Sequence, residues 1–348
     1  MFIKDAWYIA AWAHEVKDQI LARKICNESI VIFRDKATQK AGALRDRCCH
    51  RGTPLSYGQV VEAGLECGYH GLIFNTAGTC VHIPGQAKIP SKACVQSFPL
   101  VEKDEFLWIW MGDPGKADVS KIVDYPYHND HAKWPHKHEV YHVKANSMLM
   151  VDNLMDLTHL AYVHKSTIGG SNANAHIEAQ MKVTPKDTGL HFIRWLLNST
   201  PPPTYKKAVP DIGERIDRWM EFEFIAPGSV IQWTGGLKTG MDAQSSRDQE
   251  GGFSLRIFHG LTPETENSCF YFWSAANGYR QDDPQATEDL FHEITVAFSE
   301  DKGIVQAQQR MLDETGTSGL VDIVSDQARV HMRRTVTKLL AQEQHSAA

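Results

Sequence analysis

Two short cysteine–histidine pairs, Cys48-Cys49-His50 and Cys67-Gly68-Tyr69-His70, constrain this chain more than any other feature. Each sits among glycine and proline, in RCCHRGTPLSYG and LECGYHGLIF, so each reads as the knuckle of a tight loop. Two such loops can bring two thiolates and two imidazoles to one small centre. A [2Fe–2S] cluster with two cysteines on one iron and two histidines on the other accepts that set, and the histidines raise its reduction potential above that of an all-cysteine cluster.

Zinc also accepts two cysteines and two histidines at such spacings. The flanks decide against it. His-Arg-Gly-x-Pro-Leu-Ser and Cys-x-Tyr-His-Gly resemble the two cluster-binding loops of Rieske proteins, and zinc would leave the turns at Gly52, Pro54 and Gly71 unexplained. The sequence around the pairs fits a small β domain. Ile30–Phe33, Ala43-Leu44 and Phe106–Trp110 are short apolar or alternating runs separated by Gly, Pro and Asp turns. The dense turn signal Met111-Gly112-Asp113-Pro114-Gly115-Lys116 sets the expected boundary, with a cluster domain over 1–115 and a second domain over 116–348.

At 348 residues and 42% hydrophobic content the chain can bury two cores. A net charge of −6 gives no basic footprint, which argues against nucleic acid as a partner. No run approaches the apolar length needed to span a bilayer, and the N-terminal MFIKDAWYIAAWAHE, with Asp5 inside it, is unlike a signal peptide. A cytoplasmic protein is expected. Seven cysteines are too sparse for a disulfide scaffold. The five other than Cys48 and Cys67 are expected to be small buried hydrophobes.

Beyond the boundary, residues 216–225, 229–233, 253–259 and 268–274 alternate in the manner of half-buried strands, with Thr262–Glu266 expected as a turn. They predict an antiparallel sheet. Residues 199–213 and 234–252 read as long loops. Two helices close the chain, one over 284–312 and one from Ser325 as N-cap, with Ala328, Met332, Val336 and Leu339 on one face. There is no internal repeat.

A cluster of this kind moves single electrons and has no open coordination position, so catalysis needs a second site. The segment 153–164 offers Asp156, His159 and His164 in an apolar, helix-favouring setting. On an ideal helix two side chains five residues apart diverge by about 140°, so both histidines reach one ion only if the helix bulges or ends there. One carboxylate would complete the two-histidine, one-carboxylate set of non-haem Fe(II) oxygenases. Phe298-Ser299-Glu300-Asp301-Lys302 supplies Glu300 and Asp301, and spacing does not choose between them.

With both sites located, the whole chain resembles the oxygenase component of Rieske non-haem iron oxygenases. The similarity is to the branch of vanillate O-demethylase, dicamba O-demethylase and toluenesulfonate methyl-monooxygenase. It is carried by Ala6–Trp12, Val151–His159 and Leu261–Glu266 as well as by the two loops. Cys49 departs from the proline common between the first Cys and His, at a position that does not bind iron.

The resemblance implies an α+β fold, with an all-β Rieske [2Fe–2S] domain followed by a helix-grip catalytic domain with an antiparallel sheet and flanking helices. It implies that Cys48, His50, Cys67 and His70 bind the cluster and that His159, His164 and Asp301, rather than Glu300, bind a mononuclear Fe(II). It further implies a head-to-tail homotrimer, because the two metal sites of one subunit are too far apart. In that trimer His70 hydrogen-bonds Asp156 of a neighbour, which in turn holds His159. Asn153 joins Asp156 among the catalytic residues, and His259, Asn277 and His292 resemble pocket-lining positions.

The implied reaction is oxidation of a C–H bond by dioxygen with electrons supplied from outside, in the catabolism of an aromatic acid. An O-methyl group would give a phenol and formaldehyde, and a ring methyl a benzylic alcohol. Ring dihydroxylation is the alternative. The chain has no Rossmann glycine fingerprint and no ferredoxin cysteine array, so a separate NAD(P)H-dependent reductase is implied, with or without a ferredoxin. A pure electron carrier would leave everything after residue 115 unexplained. The respiratory type would need a further loop cysteine where Tyr69 stands. Arg194, Arg218, Arg256 and Arg280 are the candidates for binding a carboxylate or sulfonate, and Trp195, Trp219, Trp233 and Trp273 for an aromatic wall.

Overall fold

The computed structural model describes residues 1–17, 19–170, 173–247 and 249–347. The chain forms two compact units, one of Met1–Asp124 with Thr262–Glu266, the other of Tyr125–Leu261 with Asn267–Ala348. Among the described residues no helix is long and apolar enough to cross a membrane.

The first unit is built from eleven short strands: β1 (Trp7–Trp12), β2 (Leu21–Ile25), β3 (Glu28–Arg34), β4 (Ala41–Arg45), β5 (Gln59–Val61), β6 (Gly64–Glu66), β7 (Ile73–Phe74), β8 (Cys80–His82), β9 (Ser97–Phe98), β10 (Leu100–Lys103) and β11 (Phe106–Trp110). They pair as three sheets, ordered β1-β11-β10, β2-β3-β4-β9 and β5-β6-β7-β8. The run Ile30–Phe33 explains the layering. Ile30 and Ile32 face one core with Tyr8, Leu107 and Ile109, while Val31 and Phe33 face another with Leu44, Leu55, Leu65 and Phe74. A strand buried on both faces needs a continuous apolar run, and β3 has one. The second core also holds Cys48, Cys67 and Cys80, so both cysteine-bearing loops are rooted in packed hydrocarbon.

The second unit holds a seven-stranded antiparallel sheet, ordered β12-β18-β17-β16-β15-β14-β13: β12 (His136–Val143), β13 (Gln180–Lys186), β14 (Gly189–Ser199), β15 (Ile216–Ile225), β16 (Ser229–Lys238), β17 (Phe253–Thr265) and β18 (Ser268–Asn277). Its helices are α1 (Ser147–Met155), α2 (Leu160–Val163), α3 (Ala173–Ile177), α4 (Pro203–Ala208), α5 (Pro284–Thr315) and α6 (Gln327–Ala347). Asp283 caps α5 by accepting from the Gln285 amide at 3.0 Å. Phe298 of α5 packs against Tyr271 and Trp273 of β18, which seats the helix on the sheet.

The structure corrects several sequence expectations. β16 continues to Lys238, through Gly235 and Gly236, where a loop was expected from residue 234. These glycines are strand residues because neighbours crowd them: a Cβ at Gly235 would meet the Trp219 ring at 2.1 Å. Asp248, in the remainder of that expected loop, lies outside the described residues. The stretch 199–213 contains α4, and Thr262–Thr265 extends β17 rather than turning. Ser325 does not cap α6. It lies in a 3-10 turn with its hydroxyl buried and unbonded, and Asp326 instead accepts from the Ile323 amide at 2.7 Å. Of the five remaining cysteines, Cys26, Cys80 and Cys269 are buried, but Cys49 and Cys94 are exposed, because each sits outside the strands on an irregular surface segment.

Candidate metal centres

The two loops of the first unit are built alike. In the first, the Cys48 amide donates to the Thr53 carbonyl at 2.8 Å and the Gly52 amide to the Cys48 carbonyl at 2.9 Å. In the second, the Cys67 amide donates to the Leu72 carbonyl at 2.8 Å and the Gly71 amide to the Cys67 carbonyl at 3.0 Å. Each loop closes only because its fourth residue beyond the cysteine takes a left-handed conformation, φ 74° at Gly52 and 71° at Gly71, which glycine adopts without steric cost. The cysteines are thereby held inward and the histidines outward. Cys48 and Cys67 are buried, and His50 and His70 are exposed with ring centroids 4.5 Å apart.

The Cys48 thiol is pushed up to about 11, first by burial and also by the neighbouring Cys67 thiol with which it hydrogen-bonds. Two adjacent buried thiols gain by losing their protons to a cation. Two thiols and two accessible imidazoles thus form a donor set that could hold a [2Fe–2S] cluster.

In the second unit, α1 ends at Met155 and Asp156 is extended at φ −123°, ψ 114°. Its carboxylate accepts from the Thr158 amide at 2.9 Å and the Thr158 hydroxyl at 2.8 Å, a local turn that competes with the helix. The chain then re-enters a single turn, α2, with His159 at its start and His164 just past its end. This break removes the 140° divergence of a continuous helix, and the two rings stand 5.3 Å apart.

Asp301, buried on α5, faces both. Its Oδ1 lies 3.0 Å from His164 Nε2, 3.5 Å from His159 Nε2 and 3.0 Å from the Asn153 amide nitrogen that donates to it. The three side chains offer ligand atoms within 4.8 Å of one another. The second nitrogen of each ring is also engaged. His159 Nδ1 donates to the Asp156 carbonyl at 2.6 Å, and His164 Nδ1 donates to Glu300 Oε2 at 2.7 Å. With Nδ1 donating, each ring can present its Nε2 lone pair to a metal, which for His164 requires the proton that Nε2 donates to Asp301 in the metal-free protein to leave. Burial holds His159 below its ordinary pKa. For His164 burial acts the same way, but the hydrogen bond and charge of Asp301, then of Glu300, outweigh it and raise the pKa. Two imidazole nitrogens and one carboxylate on one side of a cavity suit a non-haem iron with open positions.

That cavity is mostly apolar and partly open to solvent. Its floor is the inner face of the sheet in cross-strand rows, Phe222–Gln232–Ile257 and Met220–Thr234–Leu255, with Arg218 and Phe253 flanking Gly236 in the next row. Its roof is Asn153–His164 with Ile168, and Ile294, Phe298 and Asp301 of α5 close one side.

The structure brings Asn153, His159, His164 and Asp301 together on this wall. Asp156 meets His159 through its backbone carbonyl. The three expected pocket residues do not line the cavity. His259 lies on the same face of the sheet in the next cross-strand row, donating from Nε2 to Gln232 Oε1 at 2.8 Å. Asn277 is buried, bonding the Tyr279 carbonyl and the Thr287 hydroxyl, and His292 is exposed on α5. Sequence reasoning missed Glu300 as a partner of His164, because Glu300 and Asp301 were weighed as rivals for one role. It also missed Gln232, whose only signal is strand alternation, and Tyr205, which lies on α4 in a stretch expected to be a loop.

Two histidines outside the cavity lining are buried and neutral. His176 donates to the Gly169 carbonyl at 3.0 Å, and burial, followed by the charge of Arg218, lowers its pKa to about 4. Burial alone lowers His259 to about 3. In the unfolded chain both titrate near the ordinary 6.5, so between that pH and about 4 the unfolded state binds more protons, and stability falls as pH falls. By linkage each costs about 2 kcal/mol at pH 5 relative to pH 8. Urea unfolding at those two pH values checks this, and His176→Gln should flatten the dependence. An unchanged slope in that variant refutes it.

Comparison with known proteins agrees with both halves of this geometry. Residues 6–99 match the Rieske [2Fe-2S] domain, and residues 143–342 match the vanillate O-demethylase oxygenase C-terminal domain. The chain is 37% identical to the toluene-4-sulfonate monooxygenase system iron-sulfur subunit of Comamonas testosteroni, over all of both chains. It is 33% identical to a vanillate O-demethylase oxygenase subunit of a Pseudomonas strain, covering all of this chain and 97% of the relative. A crystal structure of dicamba monooxygenase with non-haem iron and dicamba superposes with a TM-score of 0.81 at 30% identity, covering 99% of each chain. These relatives are named as subunits of larger systems or as oxygenases. With a Rieske domain ahead of a vanillate-type oxygenase domain and full-length relatives above 30% identity, the chain belongs to the vanillate O-demethylase family of Rieske oxygenases.

Proposed function

We propose that this chain is the terminal oxygenase of a multicomponent monooxygenase that uses dioxygen to demethylate or methyl-hydroxylate an aromatic acid. The observation that carries the proposal is the convergence of His159 Nε2, His164 Nε2 and Asp301 Oδ1 on one apolar cavity, with each ring's Nδ1 held by an oxygen. In this reading 1–115 is the cluster domain, with Cys48, His50, Cys67 and His70 as ligands. The catalytic domain is 116–348, with His159, His164 and Asp301 as the iron ligands. Bound there, the iron would supply dioxygen activation at its open positions, fed single electrons by the cluster.

The protein's own contribution is orientation and exclusion of water. Asn153 donates to Asp301 Oδ1, which directs that carboxylate, and the Asp156 carbonyl and Glu300 fix the two rings. Leucine, isoleucine and phenylalanine walls hold an aromatic ring against this wall and keep bulk water from the reacting carbon. A head-to-tail homotrimer, with His70 of one subunit beside Asp156 of the next, would carry electrons between centres. A separate reductase, with or without a ferredoxin, would deliver them. A cytoplasmic location fits the free thiols.

The test is turnover of the protein with NADH, a reductase and a panel of methoxylated and methylated aromatic acids. Formaldehyde release marks demethylation and a hydroxymethyl product marks methyl oxidation; a cis-dihydrodiol instead would overturn the monooxygenase reading. Glu300→Gln keeps an acceptor near His164 but removes the charge. It should weaken retention of the mononuclear iron against a chelator by about 10–100-fold, with the cluster spectrum unchanged. Iron retention equal to wild type would mean that Glu300 does not position the ligand.

A further inference from the structure

We infer that Arg218 recognises the charged end of the substrate and that this end is a carboxylate or sulfonate; the inference rests on the reading of this cavity as the reaction site. Arg218 sits on β15, on the same face as Met220 and Phe222, and is 3% exposed. It lines the cavity that also contains His159, His164 and Asp301. Its Nη2 donates to the Ile168 carbonyl at 3.0 Å, its guanidinium lies 5.0 Å from the centre of the Tyr205 ring, and its Nε has no acceptor. Among the described residues no carboxylate comes within ion-pair distance of it.

The other three candidates lie outside the cavity, and an unbonded Nε is not peculiar to Arg218, since that of Arg194 is also buried without an acceptor. Arg280 pairs with Asp283, Arg256 stacks on Trp233 at 3.7 Å, and Arg194 donates to the His176 carbonyl with the charge of Asp156 nearby.

A guanidinium is costly to bury without a counter-charge, and removing it from water pays only when an anion meets it with good geometry. The neighbouring polar groups cannot fill that role. Gln232 and Thr234 bond one another at 2.7 Å, and Asp301 is engaged by Asn153 and His164. An incoming carboxylate or sulfonate matches the planar fork and can accept from the unbonded Nε. The flanking Phe253, Leu255 and Met220 would take the aromatic body. Charge recognition is thus separated from the metal ligands, with the anion fixing how far the ring enters.

The experiment measures binding without turnover, on the full chain with its cluster in place, by calorimetry. The probes are 4-methylbenzoate, 4-methylbenzenesulfonate and the neutral 4-methylbenzamide. Wild type should bind at least one anion about tenfold or more tightly than the amide, the advantage of one charge-assisted contact. Arg218→Gln should erase that advantage while leaving amide affinity within about threefold, and Arg218→Lys should keep part of it, as a point charge without the fork. Equal loss for all three probes would reveal a purely structural tie to Ile168 and overturn the inference. So would an anion preference that survives Arg218→Gln, a wild type indifferent to charge, or no binding of any probe. The variants' cluster spectra and far-UV circular dichroism report folding. Anion binding through Arg218 without oxidation of any methylated acid would refute the oxygenase reading instead, so the two failures are distinct.

Discussion

Replacing Asp301 by alanine is expected to lower turnover by about 10³-fold or more and to reduce iron from about three atoms per chain to about two, with the cluster spectrum intact. Two neutral imidazoles alone hold a divalent ion weakly, and among the described residues Asp301 supplies the one anionic oxygen within 3.5 Å of both Nε2 atoms. The variant should still fold. The truncation leaves the Asn153 amide and His164 Nε2 without their acceptor, at about 1–3 kcal/mol, but it also removes a buried carboxylate whose charge the metal-free protein must otherwise carry. Comparison with Glu300→Ala decides between the adjacent carboxylates. Glu300 reaches only the far nitrogen of His164, so its loss should leave most of the mononuclear iron in place at saturating Fe(II). If Glu300→Ala emptied the site and Asp301→Ala did not, the roles would be reversed. Iron content and the visible spectrum together settle it, since one reports both centres and the other the cluster alone.

The two cysteine–histidine loops and the strands beneath them were legible because their signals are local. A cysteine and a histidine two or three residues apart, followed by a left-handed glycine, are written in five consecutive positions, and the continuous apolar run of β3 announces a strand buried on both faces. The His159–His164 pair was legible only conditionally. Its five-residue spacing is wrong for an intact helix and right for a broken one, and the break depends on Asp156 bonding Thr158. Weighing Glu300 and Asp301 as alternatives for one ligand left no role for Glu300, for a specific reason. Adjacent residues on a helix diverge by about 100°, yet both carboxylates meet His164 because an imidazole has nitrogens on opposite sides. Pocket composition was least legible. His259 and Gln232 lie on neighbouring strands of one sheet, but His259 is covered and Gln232 lines the space. That difference is set by side-chain packing around Phe298 and Tyr271, which no spacing encodes.

The complementary expected result concerns the other centre. Cys67→Ala should eliminate the [2Fe–2S] spectrum, leave about one iron per chain and abolish reductase-driven turnover, while the cavity still binds its aromatic acid. Cys67 is 2% exposed in a core with Leu55, Leu65, Leu72 and Phe74, so alanine changes that core by one sulfur atom. The loop itself is closed by backbone bonds between Cys67 and Leu72 and between Gly71 and Cys67, neither of which uses the thiol. The loss should therefore fall on the cluster rather than on the strands. Its thermodynamic consequence is larger than the cavity alone implies, because binding free energy that the folded loops gain from the cluster is folding free energy for this unit. The first unit should melt earlier and the second at an unchanged temperature. Cys49→Ala is the internal control. Its thiol is exposed beside the ligands, so spectrum, iron content and turnover should all persist. Loss of substrate binding in Cys67→Ala with the second unit still folded would contradict the division of labour between an electron inlet at Cys48, His50, Cys67 and His70 and a reaction site at His159, His164 and Asp301.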